Sequence, residues 1–203
     1  MVAISKEIKK VRKSKVYTFE EYLRREEKAV EKHEFYNGKI VRKYSVTALE
    51  SEIAVNTITS IKKGLKIVPQ SFHVFNSDLK IGIMSLNFMT YPTSSITNQK
   101  LEFWQNHQEV ITNPILIVEV LPNGLKAFDI SRKFEFYKQL PSFQEYVLVN
   151  TDKYAVETRF QEEPNLWRIR NETNIENSVH LYALGVSISM ADIYENIVFP
   201  VKK

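Results

Sequence analysis

The feature that most constrains the fold is a short apolar run, Ile115–Leu121 (ILIVEVL), which ends at Pro122. The run is too short to span a membrane, and its β-branched residues are typical of a strand buried on both faces. A helical pattern follows over 129–139, and a second apolar run follows over 146–149. Two buried strands joined by a helix favour parallel pairing. The sequence therefore predicts an α/β fold.

The remaining segments predict further elements around this unit. Thr18 and Glu21 have capping-box spacing, and Asn37-Gly38 is typical of a tight hairpin turn. We expect a helix over 18–30, a hairpin over 33–44, a long helix over 47–65, a strand over 71–83 broken near 76–77, a strand over 86–92, a long surface loop over 93–112, strands over 154–160 and 166–170, and a helical turn over 191–194. Together they predict a mixed central sheet flanked by helices, with an N-terminal helix-hairpin and a C-terminal β extension.

Composition limits the class of protein. The 203 residues contain no cysteine, which excludes disulfides, thiol catalysis and cysteine-based zinc sites and is typical of a reducing cytoplasm. No apolar run is long enough for a membrane helix, and no apolar stretch follows the basic N-terminus as in a secretory signal. We expect a soluble cytoplasmic protein that does not bind membranes, with a single domain over 17–203.

Most of the excess positive charge lies at the N-terminus. The net charge is +4, from 28 Lys and Arg against 24 Asp and Glu. Residues 1–16 form a basic arm that includes Lys9, Lys10, Arg12 and Lys13. This arm is either a solvated terminus or a segment that binds DNA phosphates.

Glu119 is the one charged residue in the apolar run. On a strand it shares a face with Ile117 and Leu121. A carboxylate there is costly unless it is paired, protonated or bound to a metal. Glu119 is therefore either half of a structural ion pair or an active-site carboxylate.

The following helix offers a partner for this carboxylate. Asp129, Lys133 and Tyr137 lie on one helix face, so Lys133 either pairs with Asp129 at the surface or reaches Glu119. Two further acidic residues, Glu34 and Asp78, lie beside predicted turns and suit either an exposed position or a site. The four histidines have no zinc-ligand spacing, and no glycine-rich phosphate loop is present.

The order of several local motifs resembles the Uma-type restriction endonuclease family, a branch of the PD-(D/E)XK nucleases. The matching segments are YTFEEYL at 17–23, KHEFYNGKI at 32–40, NSDLKI at 76–81, NPILIVEVL at 113–121 and FDISRKFEFYKQLPSFQEYVLV at 128–149. The resemblance implies a restriction-endonuclease-like fold. It also implies hydrolysis of DNA phosphodiester bonds with Mg²⁺, or Mn²⁺ in its place, and folds of this kind often form homodimers.

The resemblance also implies a set of site residues. Glu119 matches a metal-binding carboxylate, Lys133 matches the lysine of this branch, and Glu34 matches an acidic position before the glycine turn. Thr93 stands where the family has its metal-binding Asp, and Pro122-Asn123-Gly124-Leu125 replaces the usual Ser-Pro-Ser-Thr.

Because a neutral hydroxyl is a weak metal ligand, Thr93 predicts a degenerate active site in which the metal has been lost or is held with help from Asp78. A second interpretation is an inactive nuclease-fold module that binds DNA or a protein partner.

Overall fold

The computed structural model of the protein describes residues 15–98, 100–122 and 127–199, without the side chains of 127–129. Its α-helices are α1 (Phe19–Glu26), α2 (Ala48–Gly64), α3 (Ala127–Tyr137) and α4 (Met190–Ile193). None of the described helices is both long and apolar enough to cross a membrane. Of the basic arm, residues 1–14 lie outside the described residues.

The strands form two large mixed sheets and a separate hairpin. The first sheet has the order β2 (Lys39–Arg42), β1 (His33–Tyr36), β5 (Phe88–Thr90), β4 (Lys80–Ile83), β8 (His107–Ile111) and β7 (Phe103–Trp104). The second sheet has the order β12 (Leu166–Glu172), β11 (Val156–Glu163), β10 (Glu145–Asn150), β9 (Leu116–Leu121), β6 (Ser94–Thr97) and β3 (His73–Asn76). The hairpin pairs β13 (Ser178–Leu181) with β14 (Val186–Ser189). The predicted mixed α/β class is confirmed, with the strands divided between two sheets.

The strand–helix–strand unit formed by β9, α3 and β10 has the predicted geometry. β9 and β10 are parallel, with Ile117 opposite Tyr146 and Glu119 opposite Leu148. Ile117 packs with Phe134 and Tyr137 of α3. The alternate residues of β9 pack in another core cluster, which also contains residues of α2. The run is therefore buried on both faces, and the face that carries Glu119 lies under α3.

The N-terminal elements have the turn and cap that the sequence predicts. Asn37 and Gly38 have φ angles of 44° and 81° and join β1 to β2. Thr18 and Glu21 exchange side-chain hydrogen bonds with each other's backbone, which completes the capping box of α1. The helix ends at Glu26, four residues before the predicted end. The turn closes the hairpin that carries Glu34, and the capping box fixes the start of α1.

The prediction of a surface loop over 93–112 is wrong. This segment contains β6, β7 and β8, and β6 is buried between β3 and β9. The polar residues of β6 are small hydroxyl side chains. The Ser94 hydroxyl donates to the carbonyl of Phe75 at 2.6 Å, whereas the buried hydroxyls of Ser95 and Thr97 have no hydrogen-bond partner among the described residues. The break near 76–77 is real, because β3 and β4 belong to different sheets.

Candidate functional site

Three separate elements bring Glu34, Glu119 and Lys133 together, and we name these residues the charged cluster. Glu34 lies on β1 of the first sheet, Glu119 on β9 of the second, and Lys133 on α3. The Nζ atom of Lys133 lies 2.8 Å from Oε1 of Glu34 and 3.2 Å from Oε1 of Glu119. One ammonium group therefore joins carboxylates from both sheets.

Both carboxylates are buried and accept further hydrogen bonds. Glu119 is 2% exposed, and the hydroxyl of Tyr137 donates to its Oε1 at 3.3 Å. Glu34 is 8% exposed and accepts hydrogen bonds from the hydroxyls of Tyr36, at 2.7 Å, and Thr90. These partners compensate the cost of burying negative charge.

The attraction between Lys133 and the two carboxylates shifts the pKa values of Lys133 and Glu34. Burial alone would lower the pKa of Lys133, but the negative charges of Glu119 and Glu34 outweigh it and hold that pKa well above its usual value. Burial alone would raise the pKa of Glu34, but the charge of Lys133 and its hydrogen bonds lower it. The cluster therefore holds a protonated lysine and an ionised Glu34 at neutral pH.

A cavity of about 510 Å³ opens onto the charged cluster. Its cationic side chains are Lys39, Arg42, Lys43, Arg132 and Lys133, its acidic side chains are Glu34 and Glu119, and its aromatic side chains are Tyr36, Tyr44 and Tyr146. We name it the cationic cavity. Its volume suits a small-molecule group or a segment of polymer, and its charge favours an anion.

Thr93 lies next to the charged cluster, but its neutral hydroxyl does not supply the charge of the metal-binding Asp that the resemblance implies at this position. Ser94 pairs with Val118 on β9, which places Thr93 beside the end of that strand. The Thr93 hydroxyl accepts a hydrogen bond from the amide of Val120 at 3.0 Å. The side chain lines a second cavity of about 490 Å³, which also includes Lys43. Position 93 is thus close to Glu119 in the fold and carries no charge.

The other sequence candidates lie elsewhere. Asp78 is on the turn after β3, where its carboxylate pairs with Lys32 at 2.7 Å and its side chain is 72% exposed. The structure does not bring Asp78 into the charged cluster. Lys9, Lys10, Arg12, Lys13, the loop 123–126 and the side chain of Asp129 lie outside the described residues.

Comparison with known proteins identifies the family. The sequence model of the Uma2 family, described as "Putative restriction endonuclease", matches residues 19–191. The chain belongs to the Uma2 family. The match includes both sheets and the charged cluster, so the resemblance predicted from the motifs is confirmed.

Two relatives from the cyanobacterium Synechocystis sp. extend the comparison. The uncharacterized protein sll1609 is 35% identical over 144 residues, or 71% of this chain and 80% of the relative. The uncharacterized protein slr1290 is 31% identical over 180 residues, or 89% of this chain and 92% of the relative. A crystal structure of "a putative nuclease belonging to DUF820" from Anabaena variabilis is similar with a TM-score of 0.68 and 16% identity, over 89% of this chain and 99% of that one. That similarity supports the fold.

The donor set does not fit the two-carboxylate metal centre that the Uma2 resemblance implies. Glu34 and Glu119 both contact the ammonium group of Lys133, and Thr93 offers a neutral hydroxyl that already accepts an amide hydrogen bond. Among the residues whose side chains are described, no three His, Cys, Asp or Glu residues come together in a way that could hold a metal ion. Mg²⁺ prefers charged oxygen ligands with space for several waters.

Several residues that contact the charged cluster or line the cationic cavity are not predicted from the sequence. Tyr36 follows Glu34 by two residues on the same strand, so the strand period could have indicated it. Thr90, Lys43 and Arg132 carry no such signal, since their positions depend on the pairing of β1 with β5 and on the packing of α3. The cavity is a product of tertiary structure.

Proposed function

We propose that this protein is a nuclease-fold DNA-binding protein whose cationic cavity takes the phosphodiester backbone, and whose hydrolytic activity is lost or strongly reduced. The observation that carries the proposal is the charge of the cavity. Five cationic side chains line it against two carboxylates, and both carboxylates contact Lys133. A net positive, partly enclosed surface attracts phosphate groups.

Two guanidinium groups at the cavity support phosphate contacts. Arg132 is exposed and lies over the rings of Tyr36 and Phe136, at 5.6 and 5.3 Å from their centroids. Arg42 pairs with Glu31. Guanidinium groups bind phosphate oxygens through paired N–H donors, and aromatic contacts hold them in place at little cost in entropy. Arg132 is therefore the arginine best placed to bind a phosphate.

The proposed loss of hydrolysis follows from Thr93, which stands where the Uma2 resemblance implies a metal-binding Asp. Altering even the outer partners of a metal ligand typically costs about 10–100-fold in affinity or activity, so replacing a ligating carboxylate by a hydroxyl should cost more. Lys133 and Glu119 remain in contact, but without a second carboxylate at position 93 the cluster has no counterpart of the implied metal site. DNA binding requires only the cationic side chains of the cavity, so it is retained.

A second candidate function is a Mg²⁺- or Mn²⁺-dependent DNA endonuclease. The observation that favours it is the contact of Lys133 with Glu119, which matches the pair that the Uma2 resemblance implies. Four further expectations stay predictions. They are that Asp78 is a substitute metal ligand, that the basic arm contacts DNA, that the protein forms a homodimer, and that it binds a protein partner.

Plasmid nicking with Mg²⁺ or Mn²⁺ tests the two candidates, using wild type, Thr93→Asp and Glu119→Ala beside a DNA-retardation assay. We expect wild type to retard DNA in a salt-dependent way without cutting it, and Thr93→Asp to regain cutting. Cutting by wild type that disappears in Glu119→Ala would instead establish the endonuclease. Absence of retardation would reject DNA binding.

A further inference from the structure

Lys43 contacts the segment 91–93, in which the Uma2 resemblance implies a metal-binding Asp at position 93. Lys43 follows β2, and its Nζ atom donates a hydrogen bond to the carbonyl of Tyr91, two residues before Thr93. Lys43 lines both the cationic cavity and the second cavity. A cation of the protein itself therefore lies beside the position where the Uma2 resemblance implies a bound metal.

Lys43 differs from Lys133 in its partners. Lys133 contacts two carboxylates, whereas no carboxylate among the described residues lies within ion-pair distance of Lys43. Lys43 is half-buried between the two cavities, and burial lowers its pKa while the charge of Glu119 raises it. A partly desolvated ammonium group without a contacting carboxylate gains more from a phosphate oxygen than an exposed lysine does.

Arg132 also lines the cationic cavity and lies on α3, next to Lys133 in sequence. It rests on aromatic rings and, within the described part of the chain, has no carboxylate partner. Lys43 and Arg132 thus give the cavity two cations from different elements, and neither contacts an acidic side chain among those that the structure describes. Because both residues line the same cavity, a phosphodiester bound there has two cations available to its oxygens.

We propose that the cavity binds the phosphodiester directly through Lys43 and Arg132, with no divalent cation between protein and phosphate. The inference rests on the proposed function and specifies how the same site recognises its ligand. An ammonium group supplies charge and hydrogen bonds to phosphate, but it does not lower the pKa of a bound water as a metal does. Direct recognition therefore explains how binding persists where cleavage does not.

The test compares the affinity of the full chain for a fluorescein-labelled DNA oligonucleotide in EDTA and in Mg²⁺, at equal ionic strength. We expect the two Kd values to agree within about twofold, since no bound metal contributes to binding. Lys43→Gln should weaken binding by about tenfold, because it removes one direct phosphate contact. Lys62→Gln is the matched control, since Lys62 is an exposed lysine of α2 that lines neither cavity.

The outcomes separate this inference from the proposed function. Binding that disappears in EDTA and returns with Mg²⁺ would overturn direct recognition and leave DNA binding standing. Absence of binding in both buffers would overturn the proposed function. Unchanged binding by a folded Lys43→Gln variant would also overturn the inference. If that variant is unfolded, the wild-type EDTA comparison and Lys43→Arg, which keeps the charge and should keep binding, decide the question.

Discussion

The Nζ atom of Lys133 lies 3.2 Å from Oε1 of Glu119, across the space between α3 and β9. The same nitrogen lies 2.8 Å from Glu34 on the other sheet. The three side chains are 3%, 11% and 17% exposed for Glu119, Glu34 and Lys133. Because little water reaches them, each charge depends on the others, and Lys133 is the group that keeps two acids in the interior.

Replacing Lys133 should destabilise the protein strongly. Lys133→Met leaves Glu34 and Glu119 buried without a contacting cation, and removing one partner of a buried ion pair costs about 3–5 kcal/mol. Urea unfolding monitored by tryptophan fluorescence measures the change in the free energy of unfolding.

A neutral version of the cluster is the control for this prediction. The variant Lys133→Met with Glu34→Gln and Glu119→Gln has no buried charge left unpaired, so it should regain most of the lost stability. A loss of less than about 1 kcal/mol in Lys133→Met alone would contradict a tightly coupled cluster.

Glu145 predicts that the stability of the protein depends on pH. The residue is fully buried at the start of β10, Oε1 has no partner within the described structure, and Oε2 accepts a hydrogen bond from the Ala183 amide at 2.9 Å. Burial raises the pKa of this carboxyl to about 7 from 4.5. The folded state therefore favours the protonated acid, and the free energy of unfolding should fall by about 3 kcal/mol as pH rises from 4.5 through 7.

The Glu145→Gln variant isolates this effect. It keeps the shape of the side chain and removes only its ionisable group, so its free energy of unfolding should lack the wild-type decrease between pH 5 and pH 8. Glu34, whose pKa is lowered, contributes stability that is lost only at more acidic pH. Parallel curves for wild type and Glu145→Gln would show that Glu145 does not titrate as predicted.

Thr93→Asp should create a divalent-cation site. Because the Thr93 hydroxyl already contacts the amide next to Glu119, a carboxylate at this position adds a second charged oxygen group near Glu119. Millimolar Mg²⁺ should raise the Tm of the variant by about 2–4 °C, the effect of about 1 kcal/mol of binding free energy, and should leave that of wild type nearly unchanged. Thr93→Asn controls for size, and an equal rise in it or in wild type would count against a role for the new charge.

Much of the fold follows from local sequence patterns. The run 115–121, the Asn37-Gly38 turn and the Thr18 cap each have a pattern whose period or spacing fixes one local structure, and each has the expected conformation. The contact of Lys133 with Glu119 also follows locally, since one buried charge and one helix face define it.

Other features depend on the packing of distant segments. β6 is polar in sequence, and its burial follows from its pairing with β3 on one side and β9 on the other, which no local pattern predicts. The approach of Glu34 to Lys133 joins residues 99 positions apart on different elements. Lys43 gives no local signal either, because its contact with Tyr91 exists only after β2 and β5 have both paired with β1. Tertiary structure therefore determines the charge of the cavity.

The salt dependence of DNA binding by wild type, Arg132→Gln and Lys62→Gln tests most directly whether the cationic cavity binds DNA. Each phosphate contact contributes a slope of about −0.9 to the logarithm of the binding constant against the logarithm of salt concentration. If the cavity binds DNA phosphates, Arg132→Gln reduces the steepness of the wild-type line by about one contact, while Lys62→Gln leaves it unchanged. Equal slopes for wild type and Arg132→Gln, or binding that does not respond to salt, would contradict DNA binding in the cationic cavity.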